Sequence, residues 1–115
     1  MPLRFARGSS SKFRNIKTEI DGVVFASKAE ATRYVYLKNL LRVGEIAELE
    51  LQPRHNLVVN GIKVCAYIAD FRYRRVSTGE IITEDVKSKP TRTPEYRIKK
   101  KLLKALYDVD IVEVG

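Results

Sequence analysis

The chain has 115 residues, with 22 Lys and Arg against 14 Asp and Glu, a formal charge of +8 and a pI near 9.7. That length bounds it to one domain with a small core, and that charge favours a polyanionic partner, a solvated basic surface being the alternative. The single cysteine, Cys65, excludes an intramolecular disulfide and points to a reducing, cytosolic compartment; the single histidine, His55, excludes multi-histidine metal sites and argues against His-based acid–base chemistry.

No apolar run is long enough for a membrane span, and residues 1–17 contain no apolar signal core. Those 17 residues instead carry Arg4, Arg7, Lys12, Arg14 and Lys17, no acid, and Gly8-Ser9-Ser10-Ser11. Such a composition predicts a mobile basic arm ahead of a single domain over residues 18–115, the arm either tracking phosphates or merely solvated. Thr18-Glu19-Ile20 and Val23-Val24-Phe25 flank Asp21-Gly22, which predicts a two-residue hairpin.

A helix is expected over 27–43. Ser27 with Glu30 three residues on forms a capping box, and Gly44 supplies the stop. Helical spacing sets Glu30 near the stripe of Tyr34, Leu37 and Leu41, where a carboxylate is costly unless it is paired or binds a metal. Ala47 to Leu51 reads as a strand, with Leu49 and Leu51 on one face, ended by Gln52-Pro53. His55 to Val59 is a second short strand, closed by the Asn60-Gly61 turn.

Val64 to Tyr73 and Ile81 to Lys87 are rich in β-branched and aromatic residues, and Ser77-Thr78-Gly79 lies between them. The pattern predicts a hairpin, with Cys65 as core rather than nucleophile. A turn centred between Ser77 and Thr78 pairs Arg75 with Glu80 and sets Asp70 opposite Asp85. Alternation turns Asp85 and Lys87 to one face and Glu84 to the other. Opposed like charges destabilise a hairpin, and a hard cation between two carboxylates removes the conflict, in the manner of magnesium or manganese. The competing reading makes both aspartates ordinary strand carboxylates paired with Lys or Arg.

From Lys89 to Lys104 there are seven basic residues against Glu95 alone. Thr93 can cap a helix with Pro94 in its first turn; Tyr96, Leu102, Leu103 and Leu106 form its buried stripe. Lys89, Arg92, Arg97, Lys100, Lys101 and Lys104 are the candidate nucleic-acid contacts, with a solvated charged face as the alternative. Asp110 to Val114 reads as a final strand.

Asp70 on one strand, followed by Asp85-Val86-Lys87 on the next, resembles the active-site signature of the PD-(D/E)XK nuclease superfamily, with Ala69 where the family name has proline. Ser27-Lys28-Ala29-Glu30, Leu49 to Pro53, Tyr67 to Phe71 and Glu84 to Lys87 together are similar to segments of small phage and prophage endonucleases, a group that includes proposed Holliday-junction resolvases. The resemblance implies an α/β, restriction-endonuclease-like αβββαβ core with a central mixed sheet flanked by helices. It implies Asp70 and Asp85 as ligands of Mg2+ (or Mn2+), Glu30 as a further ligand or only a helix cap, and Lys87 as the group that orients the attacking water and steadies the phosphate. Gln52 is an accessory candidate, or an ordinary polar group at a strand end. Glu84 is expected to be non-catalytic.

The implied function is metal-dependent hydrolysis of DNA phosphodiesters in the cytoplasm, that of the bacterial host for a phage-encoded chain. With no reading module beyond the core, structure-selective cutting of branched or junction DNA is expected, and two symmetric cuts call for a two-fold homodimer. The alternative is a catalytically silent nucleic-acid-binding module on the same fold.

Overall fold

The computed structural model describes residues 17–87 and 92–115; the predicted basic arm, apart from Lys17, and Lys89 lie outside the described residues. The first ribbon joins β1 (Thr18–Ile20) to β2 (Val23–Phe25) in the expected register. Its turn takes positive φ at both Asp21 (54°) and Gly22 (78°), the requirement of a two-residue hairpin loop.

The first helix, α1 (Lys28–Arg42), starts where the Ser27 hydroxyl accepts the Glu30 amide at 3.1 Å. It ends where Gly44, at φ 85°, lets the chain turn while the Leu40 and Leu41 carbonyls accept the amides of Glu45 and Gly44. It buries Ala31, Tyr34 and Leu37, with Leu41 half-buried. These pack with Phe25, Ile46, Phe71, Tyr73 and Ile82 into one core.

The remaining strands are β3 (Ile46–Leu51), β4 (Arg54–Val59), β5 (Ile62–Ile68), β6 (Phe71–Arg75), β7 (Ile81–Val86) and β8 (Ile111–Val114). The central sheet has the order β3-β6-β7-β8, antiparallel except for the parallel pair β7–β8. The second helix, α2 (Pro94–Tyr107), provides the crossover that a parallel pair requires. Its first turn is capped as expected, Thr93 Oγ1 accepting the Tyr96 amide at 3.1 Å with Pro94 at the start. The molecule is therefore an α/β domain with a mixed sheet and two helices.

Two expectations need correction. The run from Val64 to Tyr73 is not one strand: β5 stops at Ile68 and β6 begins at Phe71. Between them the backbone changes partners, the Ala69 amide donating to Pro53 O at 3.1 Å and the Asp70 amide to Glu84 O at 3.1 Å. As a result β4 and β5 form a separate two-stranded ribbon instead of joining the central sheet. Its Asn60-Gly61 tip does have the expected paired positive φ, 52° and 78°. The second correction is Leu106, expected in the buried stripe but 36% exposed.

The ribbon's value lies in what it covers. Leu57, Tyr67 and Ala69 pack with Tyr96, Leu103 and Ile111 into a second core, on the opposite side of the sheet from α1. Cys65 is half-buried against that core. Strand β7 is sandwiched between the two cores, and Ile82, Thr83, Glu84 and Asp85 are all buried.

Candidate active site

The turn between β6 and β7 has the predicted geometry, with the Arg75 amide donating to Glu80 O at 2.8 Å and Gly79 at φ 75°. Pairing of Phe71 with Glu84 carries the register on to Asp70 and Asp85. The two aspartates meet through the backbone: the Asp70 amide donates to Asp85 Oδ1 at 2.9 Å, and the Val86 amide donates to Asp70 Oδ2 at 2.8 Å. Asp85 is 2% exposed, and its other oxygen, Oδ2, is buried with no hydrogen-bond partner among the described residues. A buried unpaired carboxylate oxygen is costly. Burial accordingly pushes the Asp85 carboxyl up to about 6, against the opposing pull of Lys87 and the Asp70 amide. Burial also raises Asp70, while the Val86 amide and Lys87 lower it.

Glu30 projects toward the same place from the first turn of α1. Burial raises its carboxyl to about 7, and the nearby Asp70 and, less strongly, Asp85 add to the rise. The backbone amide of Ala26 works in the other direction. Glu30, Gln52 and Asp70 line one open cleft of about 730 Å3 together with Lys17, Phe25 and Leu51. Gln52 reaches it with a positive φ of 51°, directly before a proline, and its amide donates to Asp70 O at 2.9 Å. That backbone is disfavoured for a non-glycine residue and costs on the order of 1 kcal/mol. The strain lies next to the acidic pair.

Glu84 faces the other core. Its carboxylate, 1% exposed, accepts Arg33 Nε at 2.8 Å and Arg33 Nη2 at 2.6 Å, and also accepts the Tyr73 hydroxyl. The hydrogen bonds to Glu84 hold the Arg33 guanidinium above its ordinary value, and burial followed by Glu84 does the same for the Tyr73 hydroxyl. Arg33 also lies 4.7 Å from the Tyr36 ring centre.

Lys87 follows on the Asp85 side. Its amide donates to Val114 O at 2.8 Å, and its ammonium sits 4.2 Å from the centre of the Tyr96 ring. The Tyr96 hydroxyl donates to Glu113 Oε2 at 2.6 Å, and Glu113 also accepts Arg92 Nε at 3.0 Å and Lys100 Nζ at 3.2 Å. These donors, Tyr96 first, hold the Glu113 carboxyl down at about 2. Sequence reasoning left Tyr96 as a core residue and did not single out Glu113. The signal for both was a tyrosine on a buried stripe, whose hydroxyl needs a partner.

The basic candidates on α2 fall into two groups. Arg92 and Lys100 are engaged with Glu113, and Lys104 with Asp108 at 2.7 Å and Asp110 at 3.1 Å. Arg97 and Lys101 are exposed and line the same surface groove as these three. His55 is half-buried, its imidazole held down by burial and then by Arg72.

Among the described residues, no group of three or more His, Cys, Asp and Glu is placed so that it could hold a metal ion. The donors nearest one another, Asp70, Asp85 and Glu30, are carboxylates, the ligand type that a hard cation takes, and Asp85 Oδ2 is buried without a partner among the described residues. Among the described residues, no helix is long and apolar enough to cross a membrane. A family model described as a protein of unknown function (DUF1064) matches residues 10–112. No curated protein and no solved structure matches the chain.

Proposed function

The chain belongs to the DUF1064 family, and we propose that it is a divalent-metal-dependent DNA endonuclease with a restriction-endonuclease-like core. One observation carries the proposal: two opposed aspartates at the end of a hairpin, one with a buried oxygen that no described residue satisfies, and a third carboxylate disfavoured by burial and by both of them. A purely structural pair would be arranged as Glu84 is, against an arginine. The order α1, β3, β6, β7, α2, β8, with the β4–β5 ribbon inserted, is compatible with the αβββαβ scheme.

In this reading Asp70 and Asp85 hold a magnesium or manganese ion, with Glu30 completing the shell. When bound, the ion supplies Lewis-acid polarisation of a phosphoryl oxygen. Lys87 orients the attacking water and steadies the charge that grows on the phosphate in the transition state. Gln52 shapes the cleft beside Asp70. Arg97 and Lys101 attract backbone phosphates, and Arg92, Lys100 and Lys104 contribute to the same field while tied to acids. Glu84 holds the sheet to α1.

The substrate proposed is branched DNA, resolved by a two-fold homodimer because one site makes one cut. The test is to incubate the protein with linear, nicked, flapped and four-way DNA, with and without magnesium. Magnesium-dependent cutting of the branched forms is expected. Binding that survives chelation, with no cutting on any substrate, would identify a silent binding module instead. Sedimentation as a monomer both on and off junction DNA would reject the dimer.

A further inference from the structure

We propose that Tyr96, fixed by Glu113, is the positioning residue of Lys87. The inference rests on the nuclease reading for its catalytic purpose, but the clamp itself stands on geometry. Lysine is a point charge on a flexible four-carbon stem, and its ammonium has many rotamers open to it. Here both ends are held from the second half of the chain. The backbone is tied by its amide to Val114 O at 2.8 Å, and the ammonium rests 4.2 Å from the centre of the Tyr96 ring. A cation over an aromatic face is attracted by the ring quadrupole, more strongly when water is excluded, and Tyr96 is only 6% exposed.

The ring is itself held. Tyr67 lies 6.1 Å away, centre to centre, and the Tyr96 hydroxyl donates to Glu113 Oε2 at 2.6 Å. Glu113 pairs in register with Asp85 across β7 and β8, so the clamp is anchored one strand from the acidic pair. A phenylalanine would fill the core equally well. The hydroxyl adds a fixed ring plane, and through it a fixed position for the ammonium. Arg92 and Lys100 hold the far side of Glu113 and complete the chain of contacts from the basic surface to the lysine.

The test compares Tyr96→Phe and Tyr96→Leu with the parent by two independent readouts. The first is NMR of lysines carrying 13C at Cε, with the Lys87 signal identified by its loss in Lys87→Arg. A ring-current shift is expected in the parent, reduced in Tyr96→Phe and absent in Tyr96→Leu. The second is single-turnover cleavage beside DNA affinity. Misplacing a catalytic group by about 1 Å costs up to about 10²-fold in rate, so Tyr96→Leu should cut 10- to 100-fold more slowly at about unchanged affinity. Tyr96→Phe should recover part of that loss. A parent Lys87 signal with no ring shift would overturn the clamp. A shift lost in Tyr96→Leu with cleavage unchanged would overturn the positioning role. If Tyr96→Leu does not fold, Tyr96→Phe decides alone: parental shift and parental rate together reject the proposal. A parent that cuts no DNA would refute the nuclease reading and the catalytic purpose with it, while the NMR signal would still decide the clamp.

Discussion

Glu84 and Asp85 are consecutive carboxylates on β7, exposed by 1% and 2%, and they face opposite cores. Glu84 receives a guanidinium fork and a phenol, so its burial is compensated on all sides. Asp85 receives one backbone amide, has a second oxygen without a partner among the described residues, and stands across from another aspartate. Burying a charge is tolerable when it is paired and costly when it is not. The contrast separates an acid whose burial is compensated from one whose burial is not, and on the proposed reading the second is carried for a metal. It also shows why burial alone does not identify a site: satisfaction has to be read beside it.

The sharpest way to break the comparison is to neutralise each acid in turn. Asp85→Asn and Asp70→Asn should each lower cleavage by at least about 10²-fold, the scale for losing one preorganised electrostatic stabiliser. The metal-free protein should melt at the same temperature or higher, since like-charge repulsion is relieved. Glu84→Gln should do the reverse to the fold, costing about 1.5 to 3 kcal/mol because the charged hydrogen bonds between buried Glu84 and half-buried Arg33 are lost. Thermal unfolding and cleavage on the same preparations decide this. If Glu84→Gln were neutral and Asp85→Asn strongly destabilising, the assignment of roles would be inverted.

Glu30 gives a smaller, two-part effect. Glu30→Gln keeps a side-chain oxygen that a capping box accepts and should hold helix stability while weakening magnesium-dependent cutting. Glu30→Ala should lose both, with a stability cost of about 1 kcal/mol. Cleavage measured against magnesium concentration separates the two. Parental cutting by Glu30→Gln at every concentration would leave Glu30 as a cap only.

Acidity sharpens the contrast further. Glu30 is raised from 4.5 to about 7 and Asp85 from 3.8 to about 6. The folded state therefore binds more protons than the unfolded state between about pH 4 and 7. Without metal, stability should rise as pH falls from 7 toward 5 and decline as pH rises through that window. Below it, the trend should turn, because Glu113 is lowered to about 2 from 4.5 and its contribution is lost as it protonates. Melting temperatures across pH should show the maximum, and Glu30→Gln with Asp85→Asn should flatten the neutral limb.

The smallest effects belong to the basic surface. Reversing Arg97 and Lys101 should weaken DNA binding across sequences and reduce the slope of log affinity against log salt by about 1 per lost phosphate contact. Reversing Lys100 and Lys104 should do less to the slope, because both already neutralise acids of the chain. Equal slopes for the two double variants would remove that distinction.

Much of this was legible in the residues. Asp21-Gly22 and Asn60-Gly61 announced their turns, Ser27 and Thr93 their helix starts, and a turn at Ser77-Thr78 sufficed to bring Asp70 across from Asp85. Alternation also separated Glu84 from Asp85. What could not be read was the break at Ala69-Asp70, because apolar and aromatic residues run through it without a breaker. Only the competition between Pro53 O and Glu84 O for successive amides ends one strand and starts another. The pairing of Arg33 with Glu84 joins residues 51 positions apart, and the bonds of Glu113 to α2 likewise depend on the folded crossover. Long-range satisfaction is invisible to local pattern.

The detached β4–β5 ribbon has a mechanical consequence. At its base the two linking segments are bonded to each other, the Gln52 backbone N–H to Asp70 O and the Ala69 N–H to Pro53 O, and these bonds flank the very peptide that presents Asp70. Away from that base the ribbon is held by α2, the Tyr107 hydroxyl donating to Asn56 O at 2.8 Å and accepting the Val58 amide at 3.3 Å, so ribbon and helix form one support for the backbone at Asp70.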